Sequence, residues 1–177
     1  MKRSEILLEL INVDVIREEK QILDHICFDV RAGEIHAVAG TNGSGKSALA
    51  GVICGEVRMD SGMMIYDGRP VRFSGKEEAA RSGICFAKTR RDIRLKPTAK
   101  IFILDEPTAH LSAGEIIKLH DYLPRLKEWG VGVIYISHRL DDLLNVSDRI
   151  SVIRKGECIE TLQTAQTFKE EIMTLML

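Results

Sequence analysis

Gly40-Thr41-Asn42-Gly43-Ser44-Gly45-Lys46-Ser47 is the stretch that decides how the rest of this chain is read. The apolar run Ile35-His36-Ala37-Val38-Ala39 leads into it, and the helix-forming run Ala48-Leu49-Ala50-Gly51-Val52-Ile53 leads out. Strand, glycine-rich loop and helix form the context that a G-x-x-x-x-G-K-[ST] match requires. The glycines let successive backbone N–H groups turn inward, which makes an anion nest at a helix N-terminus. Lys46 then reaches the β- and γ-phosphates of a nucleotide, and the Ser47 hydroxyl ligates Mg2+. In a chain of this length, chance supplies the four fixed residues on the order of once in a hundred. The expected nucleotide-binding residues are therefore Gly40, Thr41, Asn42, Gly43, Ser44, Gly45, Lys46 and Ser47, with Ala48 following in the helix.

The composition sets bounds on the remainder. A chain of 177 residues, 45% hydrophobic and 29% charged, is long enough for one domain with a real core. Its formal net charge of −1 gives no electrostatic case for a nucleic-acid partner. The one local exception is the basic cluster Lys88, Arg90, Arg91, Arg94, Lys96 and Lys100, which reads as a solvated loop. Cys27, Cys54, Cys85 and Cys158 form no C-x-x-C pair, and three of them sit in apolar runs. Buried free thiols in a reducing cytosol are expected rather than metal ligands. Apolar runs fall short of a membrane span, so any membrane role is expected to come through a partner, without direct insertion.

Strands alternate with helices along the chain. Residues 5–15 and 25–30 read as strands, 35–39 as the strand that delivers the phosphate loop, and 46–54 as a helix. A short strand 63–66 ends in the hairpin signal Asp67-Gly68, a helix 76–81 stops at Gly83, and strand 84–87 follows. Ile101-Phe102-Ile103-Leu104 and residues 131–136 are continuous apolar runs of the kind buried in a parallel sheet. Between them, Ser112-Ala113-Gly114-Glu115 has the form of a capping box, opening a helix that Pro124 should kink or shorten. A short helix 140–144, a strand 149–153 and a terminal helix 167–176 complete an α/β fold with a largely parallel central sheet.

A second constellation lies downstream. The run 101–104 ends in Asp105-Glu106-Pro107-Thr108, which puts two carboxylates at the strand edge where open α/β sheets bind ligands. Asp105 is placed to hold Mg2+, and Glu106 to orient and deprotonate an attacking water. The run 131–136 ends in Ser137-His138-Arg139, where a histidine can reach a γ-phosphate. A third, weaker reading is an unrelated small phosphate-loop kinase or GTPase; Asp105-Glu106 with His138 argues against it, since those enzymes need no histidine in that place.

With these motifs assembled, the chain resembles an ATP-binding-cassette ATPase of the ribose/galactose-type sugar importer branch. The residues that carry the resemblance are the phosphate loop 40–47, Ile101–Glu106 with Pro107-Thr108-Ala109, and Ile134-Tyr135-Ile136-Ser137-His138-Arg139-Leu140. Asp148-Arg149-Ile150 and Arg154-Lys155-Gly156 fit as well, so the likeness spans nearly the whole chain. It implies a P-loop NTPase fold with a small N-terminal antiparallel β part, ATP and Mg2+ as cofactors, Glu106 as general base and His138 as the γ-phosphate switch. It also implies a transmembrane permease and a second cassette as partners, and a cytoplasmic place at the inner face of the membrane.

The sequence departs from that family in one region. Between Ser47 and Asp105 the family carries a glutamine-bearing loop, a helical subdomain and an L-S-G-G-Q signature, and here only residues 88–100 stand in their place. The reading is a single shortened domain, residues 1–177, with the helical subdomain deleted around 88–100. Leu111-Ser112-Ala113-Gly114-Glu115 imitates a signature but follows the acidic strand, so it is expected to be a helix cap. Arg17 falls where the family has the aromatic that stacks on adenine. Two functions are left open: an ATPase subunit of a sugar importer, and a nucleotide-binding remnant or regulatory module with little turnover. Whether the chain matches the first or second cassette of a tandem protein is also left open.

Overall fold

The computed structural model describes residues 5–87, 98–109 and 111–177. Two sheets pack against each other across a shared core. The first is antiparallel, with strand order β2-β1-β4-β5. It is built from β1 (Ile6–Arg17), β2 (Lys20–Arg31), β4 (Ser61–Tyr66) and β5 (Arg69–Val71). The second has six strands in the order β10-β9-β3-β8-β7-β6. These are β3 (Ile35–Ala39), β6 (Ile84–Ala87), β7 (Ile101–Asp105), β8 (Gly132–Ile136), β9 (Arg149–Arg154) and β10 (Glu157–Gln163). All its pairings are parallel except the β9–β10 hairpin at the edge. The helices are α1 (Lys46–Ile53), α2 (Lys76–Arg81), α3 (Ala113–Glu128), α4 (Leu140–Val146) and α5 (Lys169–Met176).

Period-two alternation divides the central strands between two cores. Ile101 and Ile103 of β7, with Ile134 and Ile136 of β8, join α1 and the antiparallel sheet on one face. Phe102, Leu104, Val133 and Tyr135 point the other way, toward Leu123 and Leu126 of α3, Leu143 of α4 and Ile172 of α5. Both faces are covered, which is why these strands read as unbroken apolar runs.

The turns follow their chemistry at two places and defy it at a third. Asp67 and Gly68, at φ +52° and +73°, close β4 onto β5, and Lys155 and Gly156, at +51° and +88°, close β9 onto β10. The β1–β2 turn instead places two non-glycine residues, Glu18 and Glu19, at φ +49° and +61°. With no Asn-Gly or Asp-Gly signal there, the sequence reading ends these strands early. The pairing Arg17↔Lys20 shows that they run on to the turn itself.

Two expectations are corrected. The helix over Pro124 is not cut short. α3 continues to Glu128, because Leu119, Leu123 and Leu126 are buried on one stripe and that packing outweighs one missing N–H. Cys27 is exposed, while Cys54 and Cys85 are buried and Cys158 is intermediate. Ile26 and Phe28 take the core side of β2, so Cys27 faces outward, where its thiol lies 3.3 Å from the Asn12 side-chain oxygen. Lys100, grouped with the basic cluster, is exposed, in keeping with a solvated loop residue, and pairs with the exposed Asp67 at 2.7 Å. The other members, Lys88, Arg90, Arg91, Arg94 and Lys96, lie outside the described residues.

At the amino ends of β3 and β9 a charged group lies between the sheets. The Arg149 guanidinium donates to Glu34 (Nε, 2.5 Å) and to Asp29 (NH2, 2.6 Å). Nδ1 of His36 lies 2.6 Å from the Asp29 carbonyl, which can only accept, so that nitrogen carries the hydrogen. Nε2, 2.8 Å from the Ser151 hydroxyl, then accepts. Burial, reinforced by the adjacent Arg149 charge, pushes the His36 imidazole down to about 3 from its ordinary 6.5. The unfolded chain therefore takes up a proton below about pH 6.5 that the folded chain refuses. This contribution to stability is intact above that pH and falls as the pH drops toward 3, by roughly 1.4 kcal/mol per pH unit for the one proton. Melting temperatures followed by circular dichroism should fall steadily from pH 6.5 to 4.5, with a shallower slope in His36→Gln. Equal slopes in the two proteins would contradict this.

Candidate nucleotide site

Three loops meet at the carboxyl edge of the six-stranded sheet, following β3, β8 and β7, which are neighbours in that order. The β3 loop is the 40–47 stretch. Gly43 and Gly45 hold φ +77° and +114°, which L side chains avoid. A Cβ at Gly45 would meet the Leu23 side chain at 2.9 Å and the Ile22 carbonyl at 3.0 Å. A Cβ at Gly40 would stand 2.4 Å from the Ile153 carbonyl, so that position requires glycine for space alone. The loop is thus wedged between β2 and β9.

Lys46 opens α1 and is buried. Its ammonium donates to the Gly40 and Thr41 carbonyls at 2.8 and 2.7 Å. Burial lowers the affinity of that amine for its proton, and the charges of Glu106 and Asp105 act in the opposite sense. Ser47 is exposed in the first turn of α1, whereas the Ser44 hydroxyl is buried with no hydrogen-bond partner among the described residues. A glycine-bearing loop at the start of a helix, with a buried cation and a buried hydroxyl, has the donor types of an oxyanion cradle.

Asp105 closes β7 and is 9% exposed. The next residue, Glu106, sits in the left-handed region at φ +50°, an uncommon conformation for glutamate and one that clusters at functional sites. Its N–H donates to the Ile136 carbonyl at 2.8 Å, which ties the β7 loop to the end of β8. The Glu106 carboxylate then lies 2.9 Å from Nδ1 of His138 and 3.4 Å from the Ser137 hydroxyl. Sequence reasoning singled out Glu106 and His138 separately, and the fold makes them a pair. It did not single out Ser137, which carries no spacing signal of its own.

Ser112-Ala113-Gly114-Glu115 opens α3 as a cap. The Glu115 carboxylate accepts from the Ser112 N–H and hydroxyl at 3.0 and 2.9 Å. Arg17, in the place of the adenine-stacking aromatic, is otherwise engaged. Its guanidinium donates to the Ile16 and Arg58 carbonyls at 2.7 and 3.0 Å. Lys88 and Thr89, in the glutamine-loop neighbourhood, lie outside the described residues.

A phosphate loop, an acidic pair and a histidine on adjacent parallel strands define a P-loop NTPase-type domain. The ABC transporter family profile matches residues 23–98. A Burkholderia ambifaria protein that carries the name of a ribose/galactose/methyl galactoside import ATP-binding protein is 31% identical over 217 residues. The match takes in 87% of this chain and 42% of that protein. A ribose import ATP-binding protein of Bacillus licheniformis is 28% identical, over 89% of this chain and 45% of its own length. The chain thus spans under half the length of the curated relatives it matches. Among solved structures, an ATP-binding cassette of an ABC transporter in its ADP conformation superposes with a TM-score of 0.80 at 20% identity. That superposition covers 97% of this chain and 94% of the other. A nucleotide-free cassette gives 0.81 at 20% identity, over 96% and 94%. The chain is thus similar to the ATP-binding cassettes of ABC transporters, in sequence over residues 23–98 and in fold. No helix among the described residues is long and apolar enough to cross a membrane.

Proposed function

We propose that this chain is a cassette that binds ATP with Mg2+ through Gly40–Ser47 and Ala48, with Glu106 as general base and His138 as the sensor of the γ-phosphate. The observation that carries the reading is the meeting of Lys46, the Asp105-Glu106 pair and His138 on adjoining loops at one sheet edge. Ser47 and Asp105 offer only hydroxyl and carboxylate oxygen, which suits a hard divalent cation, and they would hold Mg2+, which neutralises phosphate charge when bound. The assignment extends to the partners that the resemblance implies, with the sugar class taken from the relatives' names. These are a membrane permease for a sugar of the ribose/galactose class and a second cassette, with this chain peripheral at the cytoplasmic face.

We further read the chain as a single shortened domain lacking the helical subdomain around 88–100. Thirteen residues separate the paired parallel strands β6 and β7. That is about the minimum for a crossover between parallel strands and leaves none for a subdomain. The alignment with the Burkholderia protein, at 217 residues, is longer than this whole chain, which supports an internal shortening. This favours a cassette that binds nucleotide and turns it over poorly when alone.

Lys46→Ala tests the binding reading. It removes a charge-assisted contact of about 1.5–3 kcal/mol, and calorimetry should show ATP affinity lower by one to two orders of magnitude. Unchanged affinity would overturn the assignment.

A further inference from the structure

Three carboxyl side chains are buried among the described residues: Glu34, Asp105 and Asp142. Glu34 answers Arg149 and Asp105 belongs to the site, which leaves Asp142, on α4 four residues past His138 and 6% exposed. Its Oδ2 atom receives two donors from two different loops. The Thr108 hydroxyl, two residues beyond Glu106, donates at 2.8 Å. The Arg139 guanidinium, adjacent to His138, lies at 3.3 Å. Behind Thr108 the buried Tyr135 phenol joins the chain, with His120 Nε2 3.4 Å from its oxygen. The Arg139 N–H donates to the Ser137 hydroxyl at 3.1 Å, and Ser137 in turn approaches Glu106. The two loops are thus joined twice, at Glu106 with Ser137 and His138, and at Thr108 with Asp142 and Arg139.

We infer that Asp142 is a positioning residue that sets the Glu106–His138 pair by holding the loops after β7 and β8 in register. The inference rests on the proposed role of that pair at the γ-phosphate. The two groups tied to Asp142, Thr108 and Arg139, flank residues at the site, and among the described residues the hydrogen bonds and ion pairs of Asp142 go to them and not to the phosphate loop. Its loss should therefore be felt at the terminal phosphate and not by a nucleoside diphosphate. A plain helix-end role predicts something else. Asp141 occupies the same first turn of α4, is exposed and pairs with Lys169, so Asp141→Asn is the control for charge at the helix terminus.

The experiment compares Asp142→Ala, Thr108→Val and Asp141→Asn with the parent chain. ATP and ADP affinities are measured by calorimetry, and the His138 ring resonances by NMR without nucleotide. Asp142→Ala and Thr108→Val should each weaken ATP roughly tenfold, the usual cost of removing an orienting partner, and leave ADP within about twofold. Their double variant should be non-additive, because both remove one hydrogen bond. The His138 resonances should shift in both and stay put in Asp141→Asn. Thr108→Val keeps the shape of the buried site and decides the matter if Asp142→Ala does not fold. Equal weakening of ATP and ADP, or unmoved His138 resonances, overturns the inference. A parent chain that binds neither nucleotide defeats the proposed function instead, and the resonances still decide the role of Asp142.

Discussion

Replacing Arg149 with methionine is expected to cost about 3–5 kcal/mol of folding stability, the usual consequence of removing one partner from a buried ionic group. The side chains of Arg149 and Glu34 are 8% and 9% exposed, and that of Asp29 is 25% exposed. Without the guanidinium, the Glu34 carboxylate and the Asp29 carboxylate would face each other across the seam between the two sheets, in a place water reaches poorly. Hydrogen bonding and charge from Arg149 hold the Asp29 carboxyl below the usual carboxylate range against the opposing effect of its burial. For a domain of this size the loss corresponds to a melting temperature lower by roughly 10 °C. The group lies at the amino ends of β3 and β9, opposite the phosphate edge, so ATP affinity at low temperature should not change. Replacing Glu34 by methionine as well should recover part of the loss, since it removes the stranded charge. A drop of less than about 2 °C in Arg149→Met would show that the network carries little of the stability.

The second large effect concerns turnover. ATP hydrolysis by the 177-residue chain is expected to be very slow, and ATP should not drive a stable dimer. In the ATP-binding cassettes that this chain resembles, two copies sandwich each ATP, and the signature of one closes over the phosphate held by the other. A positioned base, the role proposed for Glu106, contributes about 10²–10⁴-fold. Stabilising the charge on the transferring phosphoryl group is usually the larger contribution, and a single donor supplied from a second subunit is worth on the order of 10³–10⁵-fold elsewhere. The only signature-like stretch here, Leu111–Glu115, is consumed in capping α3, with the Glu115 carboxylate turned back to Ser112. Water left in an unclosed site would screen the donors that remain. In a complete cassette, replacing the base by glutamine would trap the ATP-bound dimer. Here Glu106→Gln with saturating ATP and Mg2+ should still elute as a monomer in size-exclusion chromatography with light scattering. A clear ATP-dependent dimer would show that the 88–100 segment does more than its length suggests.

Much of this was legible in the residues alone. The phosphate loop is a local device, with glycine required at 43 and 45 by backbone angle and at 40 by space, and such requirements leave fixed letters at fixed spacing. The central strands announced themselves because both faces are buried, and the capping box because its partners are three residues apart. Local rules also misled. Pro124 stops an isolated helix but not one with a buried leucine stripe, and the Glu18-Glu19 turn has no turn letters because the long β1–β2 pairing forces it. What only the tertiary structure decided is which distant groups meet. Glu106 and His138 come within 2.9 Å across adjacent strands, Thr108 and Asp142 meet 34 residues apart, and Arg149 finds Asp29 and Glu34 across the two sheets. A buried charge is tolerated only where chain topology delivers its partner, and no periodicity or spacing in one dimension records that delivery.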